Sequence, residues 1–274
     1  MACSLAMVGC SHPASRLQRA ETIASQNHLV STSLKTPGFD LKLFHRGLDT
    51  NQTHLAIYIE GDGYAWERKY ILSNDPTPKN PLALRLAARD PGPAVLYIAR
   101  PCQYQQGERE TDCDAKYWSS HRYAEEVIQS INHVVDWAVE QTGATSIRLV
   151  GYSGGGTIAA LLAARRNDVE QLVTIAANLD HVAWTKLHQI SPLSGSLNAA
   201  DIASAIKDIP QLHFAGSNDK IVPASIIRSF LANMSADSRQ KLQVINGYNH
   251  HCCWEKAWPE IMCHTGKLMI PYCK

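Results

Sequence analysis

Short apolar runs alternate with longer amphipathic stretches along the chain. The runs that predict β-strands are residues 53–59, 94–99, 147–150, 172–177, 211–215 and 241–245. Residues 121–141 repeat apolar side chains at helical spacing, and a second helix-forming stretch follows at residues 157–164. Such alternation favours the α/β class, with a mostly parallel central sheet and helices on both of its faces.

The length and composition indicate one large folded unit. The chain has 274 residues, 45% of them hydrophobic, and no internal repeat or long Pro-rich linker divides it. We therefore predict a single domain over residues 28–274. Residues 178–210 lie between two expected strands, and their composition fits a cap over a pocket as well as an ordinary helical crossover.

A glycine-rich turn stands directly between a predicted strand and a predicted helix. Its sequence at residues 151–156 is Gly-Tyr-Ser-Gly-Gly-Gly, which contains the G-x-S-x-G pattern. In this context the pattern predicts a nucleophile elbow, where Ser153 sits on a turn too tight for large neighbours and at a helix N-terminus. The alternative is a plain glycine-rich turn with a capping serine.

A serine nucleophile needs a base and an acid that orients the base. Asp219 follows the predicted strand 211–215, and the pair His250-His251 follows the strand 241–245. Open α/β sheets place their chemistry just past the carboxyl ends of their strands. These three residues are therefore the candidates for the partners of Ser153.

The chain resembles the α/β-hydrolase superfamily in three segments. They are Gly-Tyr-Ser-Gly-Gly at residues 151–155, Gly-Ser-Asn-Asp-Lys-Ile-Val-Pro at 216–223 and Gly-Tyr-Asn-His at 247–250. The resemblance implies the α/β-hydrolase fold, with Ser153 as nucleophile, Asp219 as acid and His250 as base. The family's Gly-x-x-His spacing selects His250 over its neighbour His251.

The same resemblance implies an oxyanion hole made of two backbone N–H groups. One belongs to Gly154, the residue after the nucleophile. The other belongs to Asp62, in the Glu-Gly-Asp-Gly loop at residues 60–63, where Glu60 replaces the family's usual histidine. The alternative roles for Asp62 are a general acid and a metal ligand.

Cysteine placement favours an oxidising compartment. Of the 8 cysteines, six are expected in loops: Cys102, Cys113, Cys252, Cys253, Cys263 and Cys273. Cytosolic enzymes rarely place so many there, and Cys102 and Cys113 bracket one short excursion as natural disulfide partners. A zinc site built from the cysteines and histidines at 250–253 and 263–264 is the alternative, although no C-x-x-C spacing supports it. We expect no metal and no cofactor.

The first residues indicate export. Residues 1–10 are apolar and end in Val-Gly-Cys, which resembles the end of a bacterial lipoprotein signal with Cys10 as the lipidated residue. Residues 1–27 are accordingly expected to be a signal-like segment and a polar tether. The prediction is a bacterial envelope protein, periplasmic or anchored by lipid at Cys10, with secretion as the alternative.

Charge and motifs together define the expected activity. Lys and Arg number 26 against 25 Asp and Glu, a net charge of +1, so nothing favours a nucleic-acid partner. We expect a monomeric serine hydrolase that cleaves a carboxylic ester or a similar acyl bond in a small-molecule substrate. The alternatives are a peptidase or amidase with the same triad, and a non-catalytic envelope protein that only binds its ligand.

Overall fold

The computed structural model describes residues 13–68, 70–105, 113–234 and 240–264. An eight-stranded sheet runs through the molecule in the order β1-β2-β6-β3-β7-β8-β9-β10, and all pairs from β6 to β10 are parallel. Its strands are β1 (Val30–Thr36), β2 (Phe39–Arg46), β3 (His54–Ile59), β6 (Val95–Ile98), β7 (Ser146–Tyr152), β8 (Val169–Ile175), β9 (Gln211–Gly216) and β10 (Gln240–Ile245). A separate hairpin consists of β4 (Trp66–Arg68) and β5 (Ile71–Leu72). The predicted mostly parallel sheet is confirmed.

Helices cover both faces of the sheet, as expected for the α/β class. Residues of α3, α4 and α6 form one apolar core, and residues of α1, α2 and α7 form the other. The helices are α1 (Pro13–Gln26), α2 (Leu82–Ala88), α3 (Glu125–Thr142), α4 (Gly154–Ala163), α5 (His181–His188), α6 (Ala224–Leu231) and α7 (Trp254–His264). No helix in the described ranges is long and apolar enough to cross a membrane.

The expectation of a polar tether over residues 11–27 is wrong for its described part. Residues Pro13–Gln26 form α1, which buries Leu17, Ala20 and Ala24 against the core. These positions are three and four residues apart, so they share one helix face. The lipoprotein-like residues 1–10 lie outside the described residues.

Two further elements differ from the sequence prediction. The helix predicted from residue 121 begins at Glu125, because Arg122 and Tyr123 turn into the site in the preceding loop instead of continuing a helix. The strands β1 and β2 were not predicted; they form an antiparallel hairpin whose turn contains Gly38 at φ 90°.

The segment 178–210 divides into two parts. Helix α5 contributes Trp184 to the wall of a cavity next to Ser153. The short 3-10 helix Ala199–Ile206 instead buries Ala199, Ala203 and Ile206 in the core. The segment therefore contributes both to the cavity wall and to an ordinary crossover.

Parallel register places the candidate residues at one edge of the sheet. Ser153 follows β7, Asp219 lies three residues after β9, and His250 lies five residues after β10. Because parallel strands share their direction, their carboxyl ends meet at the same edge, where the candidate site lies.

Candidate active site

Ser153 occupies a strained turn between β7 and α4. Its backbone has φ 51° and ψ −122°, a conformation that is rare for a residue with a side chain. A β-carbon at Gly151 would overlap the backbone of Gly155 and Gly156, and one at Gly155 would overlap the carbonyl oxygens of Ile59 and Glu60. The two glycines of the pattern are therefore required sterically, as a nucleophile elbow demands.

His250 links Ser153 to Asp219. Its Nε2 lies 3.1 Å from Ser153 Oγ, and its Nδ1 lies 2.9 Å from Asp219 Oδ2. An ionised carboxylate only accepts hydrogen bonds, so a Nδ1–H donor toward Asp219 leaves the Nε2 lone pair facing the hydroxyl. The structure thus brings together the three residues that the sequence selected, in the geometry of a base between a nucleophile and an orienting acid.

The second oxygen of Asp219 is held by its own turn. Asp219 Oδ1 accepts the backbone N–H groups of Ile221 at 2.9 Å and Val222 at 2.8 Å, and the carboxylate is fully buried. These bonds leave Oδ2 directed at His250. The turn after β9 therefore fixes the position of the acid.

His251 lies next to this chain of hydrogen bonds without joining it. The His251 residue is exposed, and its Nδ1 is 3.0 Å from the hydroxyl of Tyr152, which also donates to the carbonyl oxygen of His250. Partial burial, and then the neighbouring His250, lower the pKa of His251. The choice of His250 as the base agrees with this geometry.

Asp62 and Gly154, the two expected oxyanion donors, are neighbours in space. The Asp62 carboxylate lies against Gly154 so closely that a β-carbon there would overlap it. Gly154 opens α4, so its N–H has no partner within the helix. Of the hydrogen bonds in the described ranges, none uses the Asp62 N–H.

Two buried arginines clamp the Asp62 side chain. Arg122 Nη1 donates to Oδ2 at 2.6 Å, and Arg100 Nη1 donates to Oδ1 at 3.0 Å. Burial raises the pKa of Asp62, but the charges of Arg122 and Arg100 outweigh it, so the pKa is lowered. The clamp keeps this carboxylate ionised, which argues against a role as general acid.

Glu60 is buried where the family usually has histidine. Its Oε1 accepts the N–H of Gly61 at 2.9 Å, and the hydroxyl of Tyr97 donates to Oε2 at 3.2 Å. Burial raises the pKa of Glu60 to about 7, because the hydrogen bonds only partly offset the cost of a buried charge. Glu60 therefore helps to fix the shape of the loop at residues 60–63.

A cavity of about 540 Å³ lies over Ser153 and His250. Trp66 of the β4–β5 hairpin and Trp184 of α5 contribute walls to it. Asn178 also lines it; this residue is 3% exposed, and its side-chain oxygen has no hydrogen-bond partner in the structure. The cavity is therefore large enough for a small-molecule substrate.

Sequence reasoning missed the arginine clamp, the β4–β5 hairpin and Asn178. Arg100 follows β6 and Asn178 follows β8, so their positions past strand ends were a usable signal. Arg122 lies in a loop with no such marker.

The cysteine predictions have different outcomes. Cys102 and Cys113 lie close together in the structure, with their Cα atoms 5.4 Å apart, and the adjacent Cys252 and Cys253 also lie close together. Cys263 lies within α7 rather than in a loop, because the helix extends to His264. Cys273 lies outside the described residues. Within the described ranges, no group of His, Cys, Asp and Glu side chains is arranged to hold a metal ion.

The chain is similar to known proteins at two levels. A family model described as the alpha/beta hydrolase fold matches residues 102–191. No curated protein sequence matches the chain. The Pyrococcus furiosus esterase Pf2001 is similar in structure, with a TM-score of 0.59 and 13% identity over 87% of this chain and 90% of that one.

Two bacterial structures are similar to the same extent. Est1E from Butyrivibrio proteoclasticus, solved with ferulic acid bound, has a TM-score of 0.58 and 17% identity over 84% of this chain and 97% of that one. XC6422 from Xanthomonas campestris, described as a serine hydrolase without lid, has a TM-score of 0.54 and 14% identity over 85% and 92%. At these identities the likeness shows a shared fold.

Proposed function

We propose that this chain, which belongs to the α/β-hydrolase superfamily, is a serine hydrolase that cleaves a carboxylic ester or a similar acyl bond. The observation that carries the proposal is the continuous hydrogen-bonded chain from Asp219 through His250 to Ser153. This series of hydrogen bonds ends at the Ser153 hydroxyl, which lies on a strained turn next to a cavity large enough for a small molecule.

The proposed reaction uses each of these groups. His250 Nε2 accepts the proton of Ser153 Oγ as the oxygen attacks the substrate carbonyl, and Asp219 stabilises the imidazolium that forms. The N–H groups of Gly154 and Asp62 donate to the oxyanion, aided by the N-terminus of α4. His250 then gives the proton to the leaving oxygen, and water releases the acyl group by the same steps.

We also propose that the enzyme works as a monomer in the bacterial envelope. The close approach of Cys102 and Cys113 supports an oxidising compartment, since disulfides are rare in cytosolic proteins. In this proposal the protein is either periplasmic or anchored to the membrane by a lipid at Cys10, with secretion as the alternative.

Labelling with a fluorophosphonate tests the proposed function directly. The wild-type protein should form a covalent adduct on Ser153, and Ser153→Ala should fold normally but neither take up the label nor hydrolyse p-nitrophenyl acetate. Ser31→Ala, an exposed serine on β1, is the matched control and should be labelled like wild type. Undiminished esterase activity in Ser153→Ala would overturn the proposal. Faster turnover of peptide amides than of esters would instead favour an amidase.

A further inference from the structure

A second cavity of about 490 Å³ adjoins the one that holds the nucleophile. The two cavities share three lining residues, Trp66, Arg122 and Trp184, and therefore meet at these side chains. Neither Ser153 nor His250 lines the second cavity. A group bound there must therefore be joined to the reacting carbonyl by a linker that runs past the two indoles.

The position of His250 decides which part of the substrate extends into the second cavity. The leaving oxygen must come within hydrogen-bond reach of His250 Nε2 to receive its proton. His250 and His251 line only the first cavity, so that side accommodates the leaving group. Neither His250 nor His251 lines the second cavity, which favours it for the acyl group rather than for the leaving group.

The walls of the second cavity favour an aromatic ring. Trp66 and Ile190 are 43% and 42% exposed, so the second cavity presents apolar surface that a ligand can bury. Leu193 also lines it. Indole rings pack aromatic groups in stacked or edge-to-face geometry, which adds to the gain from burial alone. The hydroxyls of Ser120 and Ser191 add polar contacts of the kind that a substituted ring can use.

We propose that the second cavity binds the aryl end of the acyl group, so that the enzyme prefers esters of arylalkanoic acids whose ring is separated from the carbonyl by a short linker. This inference rests on the proposed function for its reaction and adds the class of acid. A ring attached directly to the carbonyl stays in the first cavity and gains nothing from the second.

A series of p-nitrophenyl esters tests the preference. The acids are acetic, benzoic, phenylbutanoic and octanoic, and the measurement is kcat/KM. We expect phenylbutanoate to exceed both benzoate and octanoate by about tenfold, the discrimination that a modest apolar contact provides. Equal rates for benzoate and phenylbutanoate, or a preference for octanoate, would overturn the proposal.

Two substitutions fill the second cavity without reaching the first. Ile190→Trp and Ser191→Trp should each lower the ratio of phenylbutanoate to acetate turnover by about tenfold. Val182→Trp, on the exposed part of α5 outside both cavities, is the matched control and should leave the ratio unchanged. An unchanged ratio in both cavity variants contradicts the assignment.

Binding separates this inference from the proposed function. Phenylbutanoate should bind Ser153→Ala in calorimetry, and adding Ser191→Trp should weaken that binding by about tenfold. If the wild type hydrolyses no ester while this binding pattern holds, the proposed function fails and the cavity assignment stands. If acetate is hydrolysed through Ser153 but phenylbutanoate does not bind, only the cavity assignment fails.

Discussion

The Arg122 guanidinium donates to the Asp62 carboxylate at 2.6 Å, and this ion pair holds the residue whose N–H we propose as an oxyanion donor. Arg100 holds the other carboxylate oxygen at 3.0 Å and also donates to the carbonyl oxygen of Arg122. Two buried arginines and the partly buried Asp62 carboxylate thus connect the loop after β3 with the loops after β6 and before α3. The position of the loop at residues 60–63 therefore depends on contacts between residues that are far apart in sequence.

Loss of this clamp should lower kcat more than it raises KM. We expect Arg122→Gln to reduce kcat by about a hundredfold, because a small displacement of a donor removes stabilisation of the transition state. Arg122→Lys should restore part of it, since an ammonium keeps the charge but not the two-armed geometry. Arg165→Gln, which breaks the exposed pair with Glu125, is the control and should leave kcat unchanged. An Arg122→Gln enzyme that changes only in KM would show that the clamp binds substrate instead.

The two adjacent histidines should differ widely in their effect on activity. His250→Ala removes the group between Ser153 and Asp219, and we expect kcat to fall by about six orders of magnitude, as for loss of the base of a serine-protease triad. His251→Ala removes a contact to the Tyr152 hydroxyl and should cost far less. Steady-state kinetics of both variants on one ester decide the ranking. The reverse order would identify His251 as the base.

Most of the triad could be predicted because each member lies in a short local pattern. The glycines around Ser153 are demanded by one turn, and Asp219 and His250 follow strands that their apolar runs reveal. The resemblance to a known superfamily then chose between His250 and His251.

The clamp and the packing of α1 could not be predicted in the same way. Arg100 and Arg122 reach Asp62 across 38 and 60 positions, and no local spacing encodes such a contact. Helix α1 is mostly polar, so only its three buried apolar positions distinguish it from a tether. Both the arginine contacts to Asp62 and the packing of α1 depend on residues that are far apart in sequence.

Buried Glu60 should make stability depend on pH. Its pKa is raised from the ordinary 4.5 to about 7, so the folded protein binds this proton more tightly than the unfolded chain does. The contribution is complete below about pH 4.5 and is lost as the pH rises through about 7, a change of about 3 kcal/mol. Burial, and then the Glu60 carboxylate, raise the pKa values of the neighbouring phenols Tyr97, Tyr104 and Tyr152, which stay neutral across that range.

Glu60→Gln tests this dependence, because glutamine stays neutral at every pH. Relative to wild type, the variant should gain stability between about pH 5 and about pH 8, by up to about 3 kcal/mol in the free energy of unfolding. Urea denaturation at several pH values measures the difference. Glu140→Gln, at an exposed position of α3, serves as the control and should show no such trend. A constant difference between Glu60→Gln and wild type would mean that Glu60 is ionised throughout.

The last prediction concerns the pair formed by Cys102 and Cys113. Cys102 is buried with Ala65 and Trp118, and Cys113 packs against the same small cluster, so the two sulfurs are held together by packing. Closing a loop with a sequence separation of 11 should stabilise the protein by about 3 kcal/mol through the unfolded chain.

Protein recovered from its native compartment should contain this disulfide, as mass spectrometry of non-reduced peptides would show. The double variant Cys102→Ser, Cys113→Ser should unfold at lower urea concentration than the oxidised protein, and reduction of the wild type should reproduce that loss. Two free thiols in protein taken from an envelope fraction would remove the main support for an exported hydrolase. The envelope proposal would then rest on the Val-Gly-Cys sequence at residues 8–10 alone.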